Sequence, residues 1–305
     1  MPEKTDFVWM DGRLRKWEEA TVHVLSQGIH YGAGVFEGIR CYSTGKGPAI
    51  FRLDEHLKRL FDSAKIFGTE IPFSREELRI AILETVKANK LDECYIRPIA
   101  FGGNGGFDLT TKRVPVHVSV AVWPWNNYLG KEGMRNGIRA IVSSFTRLHA
   151  NASMTKAKVT GNYANSILAK QEALNAGCDE SVMLDHKGLV SEGSSENIFA
   201  VRDGLIFTPP GETILEGITR DSIMKLATDF GLKVREEPIT RDQLYIADEV
   251  FLTGTAAEVV AVREIDSRVI GSGRMGPITE KLQKAFSEVV RGLNPKYEGW
   301  LTLVD

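Results

Sequence analysis

The chain has 305 residues, of which 43% are hydrophobic and 26% are charged, with a formal net charge of −2 at pH 7. This composition is typical of a folded globular protein, and the nearly balanced charge argues against nucleic acid or an anionic membrane surface as the main partner. No apolar run approaches the roughly 18 residues of a membrane span, and the N-terminal stretch lacks the apolar centre of a signal peptide; we therefore expect a soluble, cytoplasmic protein.

The N-terminal part of the chain predicts a small α+β domain. A hairpin is expected around residues 11–12, where an Asp-Gly pair tolerates positive φ, and a second hairpin has its glycine-bearing loop at 45–48. Asp54 is expected to cap the first helix, and Ser74 followed by Glu77 predicts a capping box at the start of the second. Two strand-like runs, CYIRPIAFGG and VPVHVSVAVWPW, complete this domain.

A polar, glycine-bearing stretch at 126–137 predicts a linker between a first domain, 1–125, and a larger second domain, 138–305. The first long helix of the second domain, ending at Gly177, is expected to place these apolar residues on one face: Tyr163, Ile167, Leu168 and Leu174. Hairpin-rich strand patterns and a closing helix follow. The fold class predicted from these patterns is α+β, with two domains, mostly antiparallel sheets and flanking helices.

Several common functional motifs are incomplete. The glycines at 102–106 do not fit the dinucleotide-binding fingerprint, and those at 45–47 lack the spacing of a phosphate-binding P-loop, so both are more typical of turns. The six histidines and three cysteines are scattered, which predicts neither a metal site nor a disulfide framework. The run SEGSSEN also lacks the pattern of a hydrolase nucleophile elbow.

A lysine-bearing segment, SMTKAKVTGNYANS, raises the possibility of amine chemistry. Lys156 and Lys158 are two residues apart, so a strand would direct both side chains to one face. Lysines are usually exposed, and a pair that only solvates a strand end is the alternative. Gly161 would allow a sharp turn, and a lysine held rigidly and partly buried just before such a turn could supply a neutral, nucleophilic amine.

An acidic residue and two backbone turns could bind a ligand that carries both a cationic ring nitrogen and a phosphate. Glu192 lies at a strand end followed by small residues and could pair with a cationic ring nitrogen, although a solvated turn is the alternative. Backbone amides at Gly217–Thr219, where a helix begins, and at Gly254–Ala256, in a glycine-broken turn, could bind phosphate or carboxylate. Each feature alone is weak evidence.

Taken together and in order, these residues resemble a known family. The motifs that carry the resemblance run through nearly the whole chain: HYGAGVFEGIRCY, YIRP, KVTGNY, SEGSSENIF, GITRD and DEVFLTGTAAEV. They resemble the fold-type IV pyridoxal-phosphate enzymes and, more narrowly, the branched-chain amino-acid aminotransferases. The resemblance implies a two-domain α+β fold, pyridoxal 5'-phosphate as cofactor, and normally an obligate homodimer with active sites near the subunit interface. The implied reaction is ping-pong transamination between L-leucine, isoleucine or valine and 2-oxoglutarate.

The resemblance also implies the cofactor-binding residues. The Schiff-base lysine of the family stands three residues before GNY, which selects Lys158, in the predicted second domain, as the catalytic residue. Lys156 is then an ordinary solvated lysine that at most helps to set the local charge. Glu192 matches the acid that hydrogen-bonds the ring nitrogen, Tyr163 the phenol at the ring oxygen, and Arg59 the arginine at the phosphate. The full implied set is Arg59, Lys158, Tyr163, Glu192, Leu215, Gly217, Ile218, Thr219, Gly254 and Thr255.

The substrate pocket is expected to accept both an aliphatic side chain and the carboxylate of glutamate. The implied set is Tyr31, Phe36, Gly38, Arg40, Tyr95, Arg97, Leu109, Trp125, Tyr128, Thr255 and Ala256. Tyr95 and Arg97 share one strand face, a pairing that resembles the branched-chain enzymes more than relatives acting on D-amino acids or aminodeoxychorismate. In the implied dimer, Tyr31 and Leu109 come from the partner subunit. Trp125 and Tyr128 could form a lid over the site.

Two alternatives remain at this point. A D-amino-acid or R-amine transaminase of the same fold would keep the cofactor chemistry and change the substrate. A non-catalytic dimeric sensor of a phosphorylated ligand would need no Schiff-base lysine, and the combination of Lys158, Glu192 and Tyr163 argues against it.

Overall fold

The structure is a computed structural model that describes residues 3–106, 108–125 and 130–304. The strands of these residues, in chain order, are β1 (Phe7–Met10), β2 (Arg13–Lys16), β3 (Gly34–Phe36), β4 (Ile39–Thr44), β5 (Gly47–Phe51), β6 (Cys94–Gly102), β7 (Val116–Pro124), β8 (Ile138–Val142), β9 (Glu180–Leu184), β10 (Val190–Gly193), β11 (Asn197–Arg202), β12 (Leu205–Thr208), β13 (Val234–Glu236), β14 (Glu249–Gly254), β15 (Glu258–Ile265), β16 (Arg268–Val269) and β17 (Leu301–Leu303). The α-helices are α1 (Gln27–Tyr31), α2 (Leu53–Phe67), α3 (Arg75–Ala88), α4 (Gly130–Asn136), α5 (Ala150–Ser153), α6 (Tyr163–Asn175), α7 (Ile218–Asp229), α8 (Arg241–Tyr245) and α9 (Pro277–Val290).

The chain divides into two compact units, each built from separate segments. The first unit comprises Met1–Trp125, Ala157–Asn162 and Val289–Asp305, and the second comprises Asn126–Lys156 and Tyr163–Glu288. Lys158 therefore belongs to the first unit, and much of the expected linker forms helix α4. The domain boundaries 1–125, 126–137 and 138–305 stay a prediction. Across the described residues, none of the helices is both long and apolar enough to span a membrane.

The first unit contains an eight-stranded sheet in the order β17-β5-β4-β6-β7-β1-β2, with β3 also paired to β6. The strand pairs described in this sheet are antiparallel. The predicted hairpin at residues 11–12 is confirmed, since both Asp11 and Gly12 adopt positive φ. Helices α2 and α3 pack against each other, and α3 also packs on β1 and β7, which buries the apolar core of this unit.

The two long helices of the first unit start differently. The predicted capping box of α3 is confirmed: the Glu77 amide donates to Ser74 Oγ at 3.2 Å, and the Ser74 amide donates to the Glu77 carboxylate at 2.7 Å. The expectation that Asp54 caps α2 is wrong, because the helix begins at Leu53 after Arg52 in a left-handed conformation. Asp54 instead lies in the first turn, where its charge favours the helix dipole.

The second unit contains a nine-stranded sheet in the order β10-β9-β8-β15-β14-β11-β12-β13, with β16 paired to β15. Most pairs are antiparallel, and the parallel ones join β8 to β9, β8 to β15 and β12 to β13. The hairpin between β11 and β12 turns at Asp203 and Gly204, both with positive φ. The α+β class predicted from the sequence is confirmed.

Helix α6 corrects the face expected from the sequence. Its buried residues are Ser166, Ala169 and Ala173, whereas Ile167 is 66% exposed and Leu168 is 50% exposed. Small side chains on the inner face let α6 approach β9, so packing distance and not hydrophobicity selects that face. The expected end of the helix is confirmed by Gly177, which adopts a positive φ of 72°.

The C-terminal region contains one predicted and one unexpected element. Helix α9 matches the predicted closing helix, and the buried Glu249 carboxylate accepts hydrogen bonds from the amides of Ile278 (2.9 Å) and Thr279 (2.7 Å) in its first turn. The following strand β17 was not predicted. It has only three residues and is recognisable by its antiparallel pairing with β5, which no local pattern reveals.

Candidate active site

Lys158 is held through its backbone in the first unit. Its amide donates to Ser63 Oγ at 2.9 Å, and its carbonyl accepts a hydrogen bond from the Phe36 amide at 3.1 Å. The strand expected here is reduced to a single bridge between Val35 and Val159. The Lys158 Nζ atom lies 4.9 Å from the centroid of the Phe36 ring. The amine therefore lies beside an apolar ring, and hydrogen bonds at both the amide and the carbonyl of Lys158 hold its backbone in place.

The turn after Lys158 depends on close backbone approach. Thr160 Oγ1 donates to the Gly32 carbonyl at 2.6 Å, and the Gly161 amide also donates to that carbonyl at 3.2 Å. A Cβ at Gly32 would lie 2.6 Å from the Gly161 Cα, and Gly32 has a positive φ of 61°. Glycine is thus needed at Gly32 for this close approach, whereas a Cβ at Gly161 would make only ordinary contacts, the nearest 3.4 Å from the Gly32 carbonyl oxygen.

Lys156 has a different environment from Lys158. Its Nζ donates to the carbonyl of Gly211 and lies 3.2 Å from Glu216 Oε1, both in the second unit, as Lys156 is. Its side chain is 40% exposed. These contacts describe a surface lysine, in agreement with the absence of a predicted role.

Five of the predicted substrate residues lie together in the first unit: Phe36, Gly38, Tyr95, Arg97 and Trp125. The Arg97 guanidinium lies 4.7 Å from the Phe36 ring centroid, and its Nη2 donates to the Tyr95 hydroxyl at 3.3 Å. The Trp125 ring packs on Tyr95 with a centroid distance of 4.5 Å. A Cβ at Gly38 would overlap the Tyr95 hydroxyl, so glycine is required at this position. The cluster combines an apolar wall with a cation.

Arg59 is bound by a buried carboxylate. Its Nε and Nη2 donate to the two oxygens of Glu37 at 2.6 and 2.9 Å, and His56 Nδ1 donates to Glu37 Oε2 at 2.7 Å. Burial opposes the charge on Glu37, but the charge of Arg59 and the hydrogen bonds from Arg59 and His56 outweigh it and hold the pKa of Glu37 well below its usual range. Burial lowers the pKa of His56, so its ring is a neutral donor. Glu37 and His56 were not predicted as site residues.

For four other predicted substrate residues, the structure does not decide a role in the pocket. Arg40 lies opposite Tyr95 in the strand register, where it binds Glu93 at 3.1 Å. In this single chain, Tyr31 and Leu109 are exposed, at 46% and 87%. Tyr128 lies outside the described residues. The substrate roles of all four stay predictions.

Glu192 is buried in the second unit, with 7% of its surface exposed. Its Oε1 accepts a hydrogen bond from Arg147 Nε at 2.5 Å, and its Oε2 accepts from the Leu215 amide at 3.1 Å and from Asn197 Nδ2 at 3.3 Å. The solvated-turn alternative is therefore wrong. Arg147 was not predicted, and the only signal for it is its pairing in space with a residue 45 positions away.

The predicted amide turn at Gly217 is the start of a helix, as expected. Helix α7 begins at Ile218 with Gly217 as its N-cap residue, and Thr219 in the first turn is only 4% exposed. A Cβ at Gly217 would overlap Asn197 Oδ1, which explains the glycine. The N-terminal amides lie at the positive end of a 12-residue helix, where a negative charge is favoured, and the phosphate-binding role of this turn stays a prediction.

The second predicted turn connects β14 and β15. Gly254 pairs with Glu258 across a three-residue connection that contains Thr255 and Ala256. Just before it, the Thr253 hydroxyl is buried without a hydrogen-bond partner within the described part of the chain. Tyr163 is the first residue of α6. The binding roles of the turn and of Tyr163 stay predictions.

Glu196, next to this turn, is buried and carries an unusual pKa. Burial and the nearby Glu180 raise the pKa of Glu196 to about 8, from an ordinary value of 4.5. The Ser195 hydroxyl donates to its Oε1 at 2.6 Å. Because the proton is bound more tightly in the folded state, this group contributes stability that is complete below pH 4.5 and is lost as the pH rises through about 8.

We expect Glu196→Gln to remove this pH dependence. Glutamine has no proton to lose, so the wild type should lose stability relative to the variant by about 1.4 kcal/mol for each pH unit between the two pKa values. Denaturation of both proteins at about pH 6 and about pH 9 measures the difference. Parallel pH profiles would show that Glu196 does not titrate in this range.

Comparison with known proteins identifies the family. The family model for amino-transferase class IV matches residues 34–265. The chain belongs to the class IV aminotransferases. A branched-chain-amino-acid aminotransferase of Pseudomonas aeruginosa is 51% identical to this class IV aminotransferase, over 100% of the chain and 99% of the relative.

Solved structures agree with the sequence comparison. A branched-chain amino acid aminotransferase from T.th., complexed with N-(5'-phosphopyridoxyl)-L-glutamate, is 51% identical, with a TM-score of 0.95 and 99% of each chain covered. The complex of that enzyme with 4-methylvaleric acid matches with the same identity, TM-score and coverage. This class IV aminotransferase thus shares the fold of those enzymes along its whole length.

Proposed function

We propose that this protein is a pyridoxal-phosphate-dependent branched-chain amino-acid aminotransferase, which transfers the amino group between L-leucine, L-isoleucine or L-valine and 2-oxoglutarate. The observation that carries the proposal is that the Phe36 ring lies near two nitrogen groups, with its centroid 4.9 Å from Lys158 Nζ and 4.7 Å from the Cζ atom of the Arg97 guanidinium. An apolar ring beside an amine can receive an aliphatic side chain, and the neighbouring cation can receive a carboxylate. The full-length similarity to branched-chain enzymes supports this assignment.

The side chains fit the cofactor. Lys158 offers an amine for its carbonyl, and Glu192 is a buried acid that suits a protonated ring nitrogen. Arg59 offers a cation for its phosphate, held in a fixed orientation by its two hydrogen bonds to Glu37. The N-terminal amides of α7 offer further phosphate donors. When bound, pyridoxal phosphate supplies an electron sink for the negative charge that develops at the substrate Cα.

Lys158 performs the proton transfers in this proposal. With the cofactor bound, Lys158 Nζ would be the amine that attaches to its carbonyl carbon, and the same amine would take up and return the proton of the substrate Cα as general base and general acid. Its backbone hydrogen bonds to Ser63 and Phe36 limit the region that Nζ can reach. Over the whole cycle the amino group would pass from the amino acid to a second 2-oxo acid, and the water used to release the first product would be regenerated.

The proposal includes a homodimer. Tyr31 and Leu109, exposed in the single chain, then belong to the site of the partner subunit, as in the family resemblance. Size measurement in solution by light scattering tests this part: a monomer that is fully active would remove Tyr31 and Leu109 from the site.

The first test of the function is a pair of half-reactions on the purified, cofactor-loaded protein. L-leucine is added to one sample and D-alanine to another, and the visible absorbance of the bound cofactor is followed. We expect the absorbance to decay with L-leucine alone. Decay with D-alanine alone would assign the protein to the D-amino-acid transaminases, and no reaction with either would overturn the enzymatic proposal.

We expect Arg97→Ala to separate the two half-reactions. Loss of the cation should lower kcat/KM for L-glutamate by about 10- to 100-fold, the effect of one lost charge-assisted hydrogen bond. L-leucine needs only the apolar wall, so its kcat/KM should change less. Stopped-flow measurement of each half-reaction gives both values. Equal losses for the two substrates would remove Arg97 from its proposed role.

A further inference from the structure

The buried Glu192 carboxylate is held by donors from three distant parts of the second unit. A carboxylate has about four acceptor positions, two on each oxygen. The Leu215 amide and Asn197 Nδ2 occupy Oε2, whereas Arg147 Nε is the donor at Oε1. The remaining acceptor position is therefore on Oε1, the same oxygen that Arg147 holds.

We infer that Arg147 is a positioning residue, which keeps the negative charge on Glu192 and directs Oε1 toward the ring nitrogen of the cofactor. The inference rests on the proposed function, because it assigns Glu192 to that nitrogen. Arg147 itself touches neither the substrate nor the reacting atoms in this assignment.

The charge argument follows from burial. Arg147 is 9% exposed and Glu192 is 7% exposed, so neither charge is stabilised by bulk water. A buried carboxylate without a counter-charge takes up a proton. Arg147 lies 2.5 Å from Oε1 and supplies that counter-charge at the oxygen that has acceptor capacity left.

Arg147 therefore decides where a shared proton resides. A proton between Glu192 Oε1 and a ring nitrogen can be bound to either atom without changing the total charge. A cation in contact with Oε1 stabilises the carboxylate more than it repels a more distant ring, so it favours the proton on the nitrogen. Removal of Arg147 should shift the proton toward Glu192.

A second observation concerns another nitrogen of the Arg147 guanidinium. Arg147 Nη1 is buried and has no hydrogen-bond partner within residues 3–106, 108–125 and 130–304. Buried arginines in structural pairs are generally completed by further acceptors. The incomplete guanidinium at Glu192 is consistent with a site that a bound ligand or water completes.

The test is a double-mutant cycle on the affinity of the apoprotein for pyridoxamine 5'-phosphate, which cannot bond covalently to Lys158. Glu192→Gln should weaken binding by about 10- to 100-fold and Arg147→Met by about 10-fold, as expected for charge-assisted hydrogen bonds. In the Glu192→Gln background, Arg147→Met should have less than about 2-fold further effect, because the two residues act as one unit. Arg147→Lys, which keeps the charge, covers the case in which the methionine variant does not fold.

The readout specific to positioning is the ¹⁵N resonance of ring-labelled pyridoxamine 5'-phosphate. It should report a protonated nitrogen in the wild type and in Arg147→Lys, and a shift toward the unprotonated form in Arg147→Met. Arg241→Met is the matched control, because it breaks another arginine–carboxylate pair of the same unit, with Asp266, and should change neither affinity nor resonance.

The outcomes of these experiments distinguish the role of Arg147 from the proposed function of the protein. Unchanged affinity and resonance in Arg147→Met, or an equal loss with and without Glu192, would overturn the role of Arg147 alone. Failure of the wild type to bind pyridoxamine 5'-phosphate, or no effect of Glu192→Gln, would overturn the proposed function and this inference with it.

Discussion

Replacement of Lys158 by alanine is expected to abolish transamination, with a loss in kcat of at least about 10⁴-fold, since both nucleophilic attachment and proton transfer depend on its amine. The cofactor should still bind through its non-covalent contacts. The decay of the cofactor absorbance after addition of L-leucine measures the activity. Turnover near the wild-type rate in Lys158→Ala would contradict the assignment.

Lys156 provides the matched control, because it is the same residue type two positions earlier. Lys156→Ala removes a partly exposed ion pair with Glu216 and should leave the half-reaction close to the wild-type rate. Borohydride reduction of the wild-type holoprotein, followed by peptide mass spectrometry, identifies the attached lysine independently of activity. Cofactor found on Lys156 would exchange the two roles.

Glu37→Gln is expected to destabilise the first unit by about 3–5 kcal/mol, because it leaves the Arg59 guanidinium buried without its carboxylate. Glu37 is fully buried, and Arg59 is 15% exposed, so solvent screens this pair little. All five tryptophans of the chain belong to the first unit. Urea denaturation followed by tryptophan fluorescence therefore reports on the unit that contains the substitution.

The pH dependence of this effect has a definite sign. The pKa of Glu37 is lowered from an ordinary value of 4.5, so its stabilisation is present above pH 4.5 and is lost as the pH falls toward the folded-state pKa. The difference between wild type and Glu37→Gln should therefore shrink in acid. Glu18→Gln, at an exposed ion pair with Lys4, is the control and should cause no measurable change. A Glu37→Gln effect as small as that of the control would show that the buried pair does not stabilise the unit.

The structure confirms features whose signals are local. The hairpin at residues 11–12, the Ser74 capping box and the start of α7 at Ile218 each depend on a few consecutive residues. Backbone conformation and capping act over one turn, so short patterns are sufficient to predict them. The local signal failed at Asp54, because the helix begins one residue earlier, at Leu53, after Arg52 in a left-handed conformation.

Other features depend on packing between segments that are distant in sequence. The inner face of α6 was predicted wrongly because hydrophobicity alone selected Ile167 and Leu168, whereas close approach to β9 requires Ser166 and Ala169. Strand β17 depends on its pairing with β5. Such contacts are set by shape and by long-range pairing, which periodicity within one segment does not contain.

The sequence by itself determined the α+β class through its local patterns. Its ordered motifs resemble the fold-type IV pyridoxal-phosphate enzymes, and that resemblance favours Lys158 over Lys156. Only the tertiary structure revealed the partners that control charge at the candidate site, Arg147 beside Glu192 and Glu37 beside Arg59. The physical reason is that a buried charge must be paired, and the fold brings its partner from a part of the chain 22 or 45 residues away.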